Sequence, residues 1–314
     1  TLPTVQAAFL GVKTAVVVIV LQALIKLSRK ALTRGSAWGI AALAFVAIFA
    51  LNLPFPLIIA GAAVFGFFTA PEPTTSASVE FAKVDPAKTL RTALIWATLW
   101  LLPLLALSWA GLGYLADVGW LFAKLAVVTF GGAYAVLAYL TQTIVQDYGW
   151  IGTAQMIDAL GLAETTPGPL ILVTQFVAML AGQLNGGVSL AFAAGIVALW
   201  ATFLPCFLWI FLAAPYFDRL AARPRLAAAL QAITAAVVGV VLNLSIWFAM
   251  HVLFDSLETR TLGPLTMVLP DLASVNLLAM ALTIAAGLGL LVLRMGLGTV
   301  LSASALIGLV SQLI

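Results

Sequence analysis

"GLAETTPGPLILVTQF", residues 161–176, sets one acid, two adjacent threonines and a Pro-Gly-Pro triplet inside an otherwise apolar run. The run as a whole, 152–182, would be about 45 Å long as one helix, against a hydrocarbon core of about 30 Å. It must tilt, protrude or break. Pro167 and Pro169 lack backbone N–H groups and clash with the preceding turn, and Gly168 takes conformations closed to other residues, so the sequence predicts a break. A half-helix restarting at Pro169 would aim unpaired N–H groups and the positive end of its dipole at the bilayer midplane, where broken-helix transporters hold anions. Thr165 and Thr166 add hydroxyl donors on one side, and Thr174 and Gln175 add donors beyond. The competing reading is that the prolines merely kink a long span.

The rest of the chain places this element in a membrane. Of 314 residues, 64% are hydrophobic and 8% charged, and the mean hydropathy is +1.17. The net charge of +3 comes from few, scattered residues and does not make a nucleic-acid surface. About ten apolar segments follow one another, near 5–27, 38–51, 55–69, 92–112, 119–146, 152–182, 188–214, 226–254, 275–293 and 296–313. The fold class expected is therefore all-α, a polytopic integral membrane protein. Cys206, in "FLPCFLW", has no partner for a disulfide and reads as a buried apolar filler.

Basic residues orient the segments. Lys26, Arg29, Lys30 and Arg34 make one short basic loop, and Arg219, Arg223 and Arg225 another; both are expected in the cytoplasm, with Asp255, Glu258 and Asp271 outside. The polar stretch "APEPTTSASVEFAKVDPAKTLR" (70–91) reads as a cytoplasmic linker, between the C-terminal part of a first repeat (1–69) and a second repeat (92–314). The repeat is visible at a shift of 221 residues, which lays "AAFLGVKTAVVVIVLQ" (7–22) on "AALQAITAAVVGVVLN" (228–243) with seven identities in sixteen. Each copy is followed by a polar loop and a helix pair, 38–69 and 275–313. The basic loop follows the first copy and precedes the second, so the copies are expected to cross in opposite directions, an inverted-topology arrangement typical of transporters. Because 119–225 has no counterpart ahead of residue 1, about a hundred residues and about three crossings are expected to precede this chain in a protein of about thirteen.

The motifs then take on a family likeness. "FAKLAVVTFGGAYAVLAYLTQTIVQDYGWIGTAQMIDALGLAETTPGPLILVTQFVAMLAG" (122–182), "TFLPCFLWIFLAAPYFDRL" (202–220) and "ITAAVVGVVLNL" (233–244) resemble the second half of the long-chain chromate transporter family. "GVKTAVVVIVLQALIKLSRKAL" (11–32) resembles the end of its first half. The resemblance implies a multi-pass protein of the bacterial inner (plasma) membrane that exports chromate, a sulfate mimic, and so confers chromate resistance. Two departures stand out: the family commonly has Pro where Ala138 stands, and the first half's own FGGP and PGP elements are absent.

The candidate site residues follow from chemistry. Thr129, Gly131 and Gly132 form a second break, offering a hydroxyl and close backbone approach, although glycines also serve helix packing. Lys13 lies about eight residues into its segment, roughly 12 Å of rise, and could supply positive charge to a dianion or pair with Glu164. Its repeat mate is Thr234. Lys124, near the start of its segment, is a charge-relay candidate, with snorkelling to the interface as the alternative. Asp158 and Glu164, six residues apart and roughly 240° out of phase on a helix, are no catalytic carboxylate pair; either is a candidate proton or charge relay, with a structural partnership of Glu164 with Lys124 or Lys13 as the alternative. Glu164, beside the break, is the better proton carrier.

The remaining polar residues suggest little more. His251, the single histidine, reads as interfacial, as do Trp38, Tyr114, Trp120, Tyr148, Trp150 and Tyr216. No catalytic constellation, metal-ligand cluster or nucleotide fingerprint is present, so an enzyme is not expected, nor a cofactor or metal. The expected partners are a chromate or sulfate oxyanion, membrane lipid, a proton as coupling ion and a second copy in a homodimer; no nucleic acid is expected. A secondary active oxyanion transporter is the leading reading, with a structural or regulatory membrane subunit as the alternative.

Overall fold

The computed structural model describes residues 3–70, 85–128, 133–165, 171–217, 223–262 and 265–311. Among the described residues the regular structure is helical apart from one small hairpin: α1 (Pro3–Ala31), α2 (Gly35–Phe49), α3 (Phe55–Phe68), α4 (Pro86–Trp109), α5 (Gly113–Val128), α6 (Ala133–Thr141), α7 (Thr153–Thr165), α8 (Ile171–Ala213), α9 (Pro224–Leu253), β1 (Leu257–Leu262), β2 (Leu265–Pro270), α10 (Leu277–Gly287) and α11 (Leu297–Val310). Wider π-type turns continue α6 over Gln142–Asp147 and α10 over Leu288–Val292. Among the described residues four helical stretches are long and apolar enough to cross a membrane, Gln6–Ala31, Pro86–Trp109, Leu172–Tyr216 and Pro224–Leu253, and Gly35–Phe49, Phe55–Phe68, Leu277–Val292 and Leu297–Val310 are shorter apolar helices. This is an all-α polytopic membrane protein, as its composition requires: without water, backbone groups must be satisfied within the helix.

Both breaks expected from the sequence lie outside the described residues. The run 152–182 is described as α7 up to Thr165 and α8 from Ile171; Thr166, Pro167, Gly168 and Pro169 lie outside the described residues. The segment expected over 119–146 is described as α5 up to Val128 and α6 from Ala133; Thr129, Gly131 and Gly132 also lie outside. Within α8 the helical path is interrupted at Gly186 and Gly187, the latter at φ 80°, a left-handed conformation that costs glycine nothing. The two arms fold back on each other. A Cβ on Gly182 would come within 2.7 Å of the Leu190 carbonyl, and one on Gly195 within 2.6 Å of Met179 Cγ.

The chain forms two compact units, interleaved along the sequence. One contains residues 1–58, 152–170 and 235–314, and the other 59–151 and 171–234. In the first, α1 packs against α11, α10 and α7. In the second, α4 and α5 pack against α8. There the Trp100 Nε1–H donates to the Ala201 carbonyl at 3.0 Å and the Trp200 Nε1–H donates to the Leu99 carbonyl at 3.1 Å. This reciprocal pair satisfies both indole donors without water. The outer face of α8 exposes Phe192, Ile196, Phe203, Phe207 and Ile210, which suits contact with lipid tails. Cys206 corrects an expectation: it is exposed on α8 rather than buried, its thiol donating to the Thr202 carbonyl at 3.4 Å. An apolar filler in a bilayer can face lipid as readily as the core.

The internal repeat has a structural counterpart. Pro3, where α1 begins, and Pro224, where α9 begins, stand at the shift of 221 residues that aligns their sequences. α2 and α3 correspond to α10 with its π turn and α11 at a shift of 242, since Gly35 matches Leu277 and Phe55 matches Leu297 as first residues. The difference between the two shifts is taken up by the segment holding β1 and β2. This antiparallel hairpin pairs Thr259 with Val268 and Glu258 with Leu269. The sequence reading missed it, although "LETRTLGPLTMVLP" carries β-branched alternation and a Gly-Pro punctuation. Of the acids around it, Asp271 accepts from the Ala273 N–H at 3.0 Å, and Asp255 accepts from Asn276 Nδ2 at 3.3 Å.

Helix contacts repeat too. In the first unit a Cβ on Gly308 of α11 would collide with the Ala7 carbonyl of α1. In the second unit, a Cβ on Gly66 of α3 would come within 2.5 Å of the Ala228 carbonyl of α9. Gly66 and Gly308 stand 242 residues apart and Ala7 and Ala228 stand 221 apart, so each unit carries the same small-residue contact between equivalent helices.

Candidate functional site

α1 is built to bring a lysine into an apolar helix pair. Along one side, Ala7 and Gly11 face Ser304 and Gly308 of α11; a Cβ on Gly11 would collide with the Ser304 carbonyl. In lipid, where apolar surface provides no driving force between helices, such close backbone approach supplies the packing. Thr14, fully buried, donates its hydroxyl to the Gly11 carbonyl at 2.8 Å and so leaves no polar group unsatisfied. The next side of α1 meets α7. Gly161 lies against Val12 and Lys13, with space for a Cβ at 3.7 Å from Val12 Cγ1 and 3.9 Å from Lys13 Cγ. Asp158, three residues before Gly161, lies on the same face of α7.

The lysine stem therefore runs beside a glycine and its ammonium meets a carboxylate: Lys13 Nζ lies 2.5 Å from Asp158 Oδ1, with side chains 22% and 46% exposed. Lys13 is ten residues past the start of α1 at Pro3, about 15 Å of helix rise. An intramembrane cation needs a partner. The sequence offered Glu164 as that partner; the partner Lys13 takes is Asp158. The signal that could have singled this out was the Asp-x-x-Gly spacing, which sets an acid next to a gap on one helix face.

The other sequence candidates are distributed as follows. Thr129, Gly131, Gly132, Thr166, Pro167, Gly168 and Pro169 lie outside the described residues, as do the side chains of Glu164 and Thr165 at the end of α7. Lys124 is exposed on α5 and, among the described residues, forms no ion pair. Gln175 is half-buried on α8, its Cγ 3.7 Å from where a Gly195 Cβ would stand, and Thr174 beside it is buried. Lys13 and Asp158 are in the first compact unit, Lys124 and Gln175 in the second. His251 sits in the last turn of α9, its Nδ1 2.8 Å from the Trp247 carbonyl and its ring 4.5 Å from the Trp247 ring. Among the described residues no group of His, Cys, Asp or Glu is placed to hold a metal ion.

These features define a class: a polytopic helical membrane protein with repeated helix units and an ion pair, Lys13–Asp158, within its apolar helices. Comparison with known proteins gives the family. The family model described as chromate transporter matches residues 1–67 and 116–309, and the chain belongs to that family. It is similar to a chromate transport protein of Cupriavidus metallidurans, 33% identical over 155 residues, which is 49% of this chain and 36% of the relative. It is 30% identical over 246 residues to a chromate transport protein of Pseudomonas aeruginosa, covering 75% of this chain and 53% of the relative. A probable chromate transport protein of Synechococcus elongatus is 28% identical over 169 residues, 54% of this chain and 41% of the relative. The chain thus spans about half or less of the length of these relatives. No solved structure matches it.

Proposed function

We propose that the chain is part of a secondary active transporter that exports chromate, or the isosteric sulfate, across the bacterial inner membrane and thereby confers chromate resistance. Family membership supports the substrate class, and the observation that carries a mechanism is the Lys13–Asp158 pair. A tetrahedral dianion needs positive charge and donors in a place that water does not fill. Lys13 supplies the charge, and Asp158 occupies it when no anion is present. An arriving dianion competes with Asp158 for the ammonium, so occupancy of the site changes the charge balance between α1 and α7. A proton taken by Asp158 or Glu164 would compensate the freed carboxylate, which is one way to couple flux to a proton gradient. The donors of the cup would come from the threonines and backbone N–H groups of 165–169. A homodimer belongs to the same proposal.

The test is flux. The full-length protein, reconstituted into vesicles, should move labelled chromate and sulfate, faster with a pH gradient than without. Lys13→Gln should abolish most of that flux while insertion and thermal stability are kept. Equal flux in protein-free vesicles and in vesicles with the transporter, or parental flux in Lys13→Gln, would leave the pair as a structural tie and favour a structural or regulatory subunit.

A further inference from the structure

The turn between α10 and α11 holds a feature that chromate transport does not use. Arg294 sits there at φ 52°. The described chain has few left-handed residues: Gly111, Gly149 and Gly187 are glycines, and the only non-glycine companion of Arg294 is Asn52, at φ 48°. Asn52 and Arg294 are 242 residues apart, the shift that relates α2 and α3 to α10 and α11. The two turns share their closing hydrogen bond: the Leu53 N–H donates to the Ala47 carbonyl at 3.0 Å, and the Met295 N–H donates to the Gly289 carbonyl at 2.9 Å. One copy therefore fills the left-handed position with asparagine, which tolerates it, and the other with arginine, which has no such preference. An observed backbone outlier of this kind points to a use for its side chain.

That use is suggested by what surrounds it. Arg294 and Gln22 line an open cavity of about 420 Å³ with Leu290, Leu291, Met295 and Leu297. All but Leu290 are exposed. Among the described residues Arg294 forms no ion pair. The cavity also lies at the basic end of α1, where Lys26 follows Gln22 by one turn and Arg29 and Lys30 close the helix. A guanidinium with free donors, an amide beside it and an apolar wall make an amphipathic cup at the end of a spanning helix. We propose that this cup binds the phosphate of an anionic membrane phospholipid: Arg294 forks onto the phosphate oxygens, the Gln22 amide donates to one of them, and the leucine and methionine side chains cover the glycerol and the first acyl carbons. A soluble tetrahedral oxyanion shares the headgroup's chemistry but has nothing to place on the apolar wall, which is why the lipid is the occupant.

Native mass spectrometry of the full chain, released from nanodiscs holding mixed phosphatidylglycerol and phosphatidylcholine, tests this. Parental protein should retain phosphatidylglycerol in preference to phosphatidylcholine. Arg294→Asn, which installs the residue of the equivalent turn and so keeps the backbone conformation, should reduce that preference about fivefold, the effect expected from removing one basic contact. Arg294→Lys should restore part of it. Thermal stability in pure phosphatidylcholine should be the same for all three proteins. An equal preference in Arg294→Asn and parent, or loss of both lipids together, would overturn the proposal. So would inorganic sulfate or phosphate that binds the cup and displaces phosphatidylglycerol at matched concentration, since the site would then be one for soluble oxyanions.

Discussion

Lys13 of α1 and Asp158 of α7 meet at 2.5 Å through Nζ and Oδ1, joining two helices that are 145 residues apart in the chain at that point. If Asp158 competes with the anion for Lys13, the two single substitutions act in opposite directions on binding. Asp158→Asn should bind sulfate or chromate more tightly, because the ammonium is no longer occupied, and should transport it more slowly, because release now lacks a competitor. Lys13→Gln should weaken binding about tenfold or more, as expected from removing a charge-assisted contact. Isothermal titration with sulfate reads both. Weakened binding in Asp158→Asn would show that the carboxylate helps hold the anion's site together rather than competing with it.

The repeated small-residue contacts make a stability prediction. Gly308 approaches the Ala7 carbonyl and Gly66 approaches the Ala228 carbonyl so closely that neither position has room for a Cβ. Gly308→Leu and Gly66→Leu should each destabilise the protein by about 1–3 kcal/mol, the usual cost of overpacking, or more if the helices cannot separate. Gly39→Leu and Gly61→Leu, where an added Cβ meets nothing within 4 Å, should cost far less, about 1 kcal/mol at most in either direction. Thermal unfolding in detergent measures all four. Equal losses at the open and closed positions would mean that the contacts do not hold the helices.

Orientation can be scored on the same scaffold after Cys206→Ser removes the exposed native thiol. The proposed topology sets the hairpin outside and the start of α2 inside. Thr259→Cys on β1 should react with an impermeant thiol reagent added to intact cells, and Ser36→Cys should react only after lysis; both positions are exposed. The reverse pattern would invert the positive-inside assignment.

How much of this was legible beforehand depended on the length over which each signal acts. The membrane class and the helix pairs were visible because apolar character accumulates over about 20 residues and needs no partner to be recognised. The relation of α1 to α9 was visible because Ala15, Val16 and Val17 recur as Ala236, Val237 and Val238. The partner of Lys13 was not, because a choice between Asp158 and Glu164 depends on which face of α7 meets α1, and that is decided by Gly161 and by the packing of Gly11 on Ser304. Arg294 passed unnoticed for a similar reason: a charged residue between two apolar helices looks like an ordinary loop until its φ and its match to Asn52 are known. The hairpin at 257–270 was lost in a polar loop between spans, where alternation over six residues is a weak signal.

Pro167, Gly168 and Pro169 lie between the described residues of α7, up to Thr165, and those of α8, from Ile171. On the binding reading, two prolines and a glycine interrupt a run too long for the bilayer so that N–H donors are aimed at an oxyanion. Replacing all three by Ala supplies good helix formers and restores two N–H groups, allowing the run to satisfy its backbone internally. Such a protein should insert and melt at least as well as the parent, because several kcal/mol per unsatisfied group no longer stand against it. Transport should nevertheless fall to background, and sulfate binding should weaken with it. A pure packing role makes the opposite coupling: lost flux would come only with poor insertion or a lowered melting temperature, since the kink would then be needed for the fold rather than for the ligand. Full-length protein is the right material, and insertion, melting, sulfate binding and chromate flux should be measured on one preparation. A stable triple-Ala protein that binds and moves the anion at the parental rate would remove 167–169 from the site and leave Lys13 and Asp158 to carry the binding reading alone.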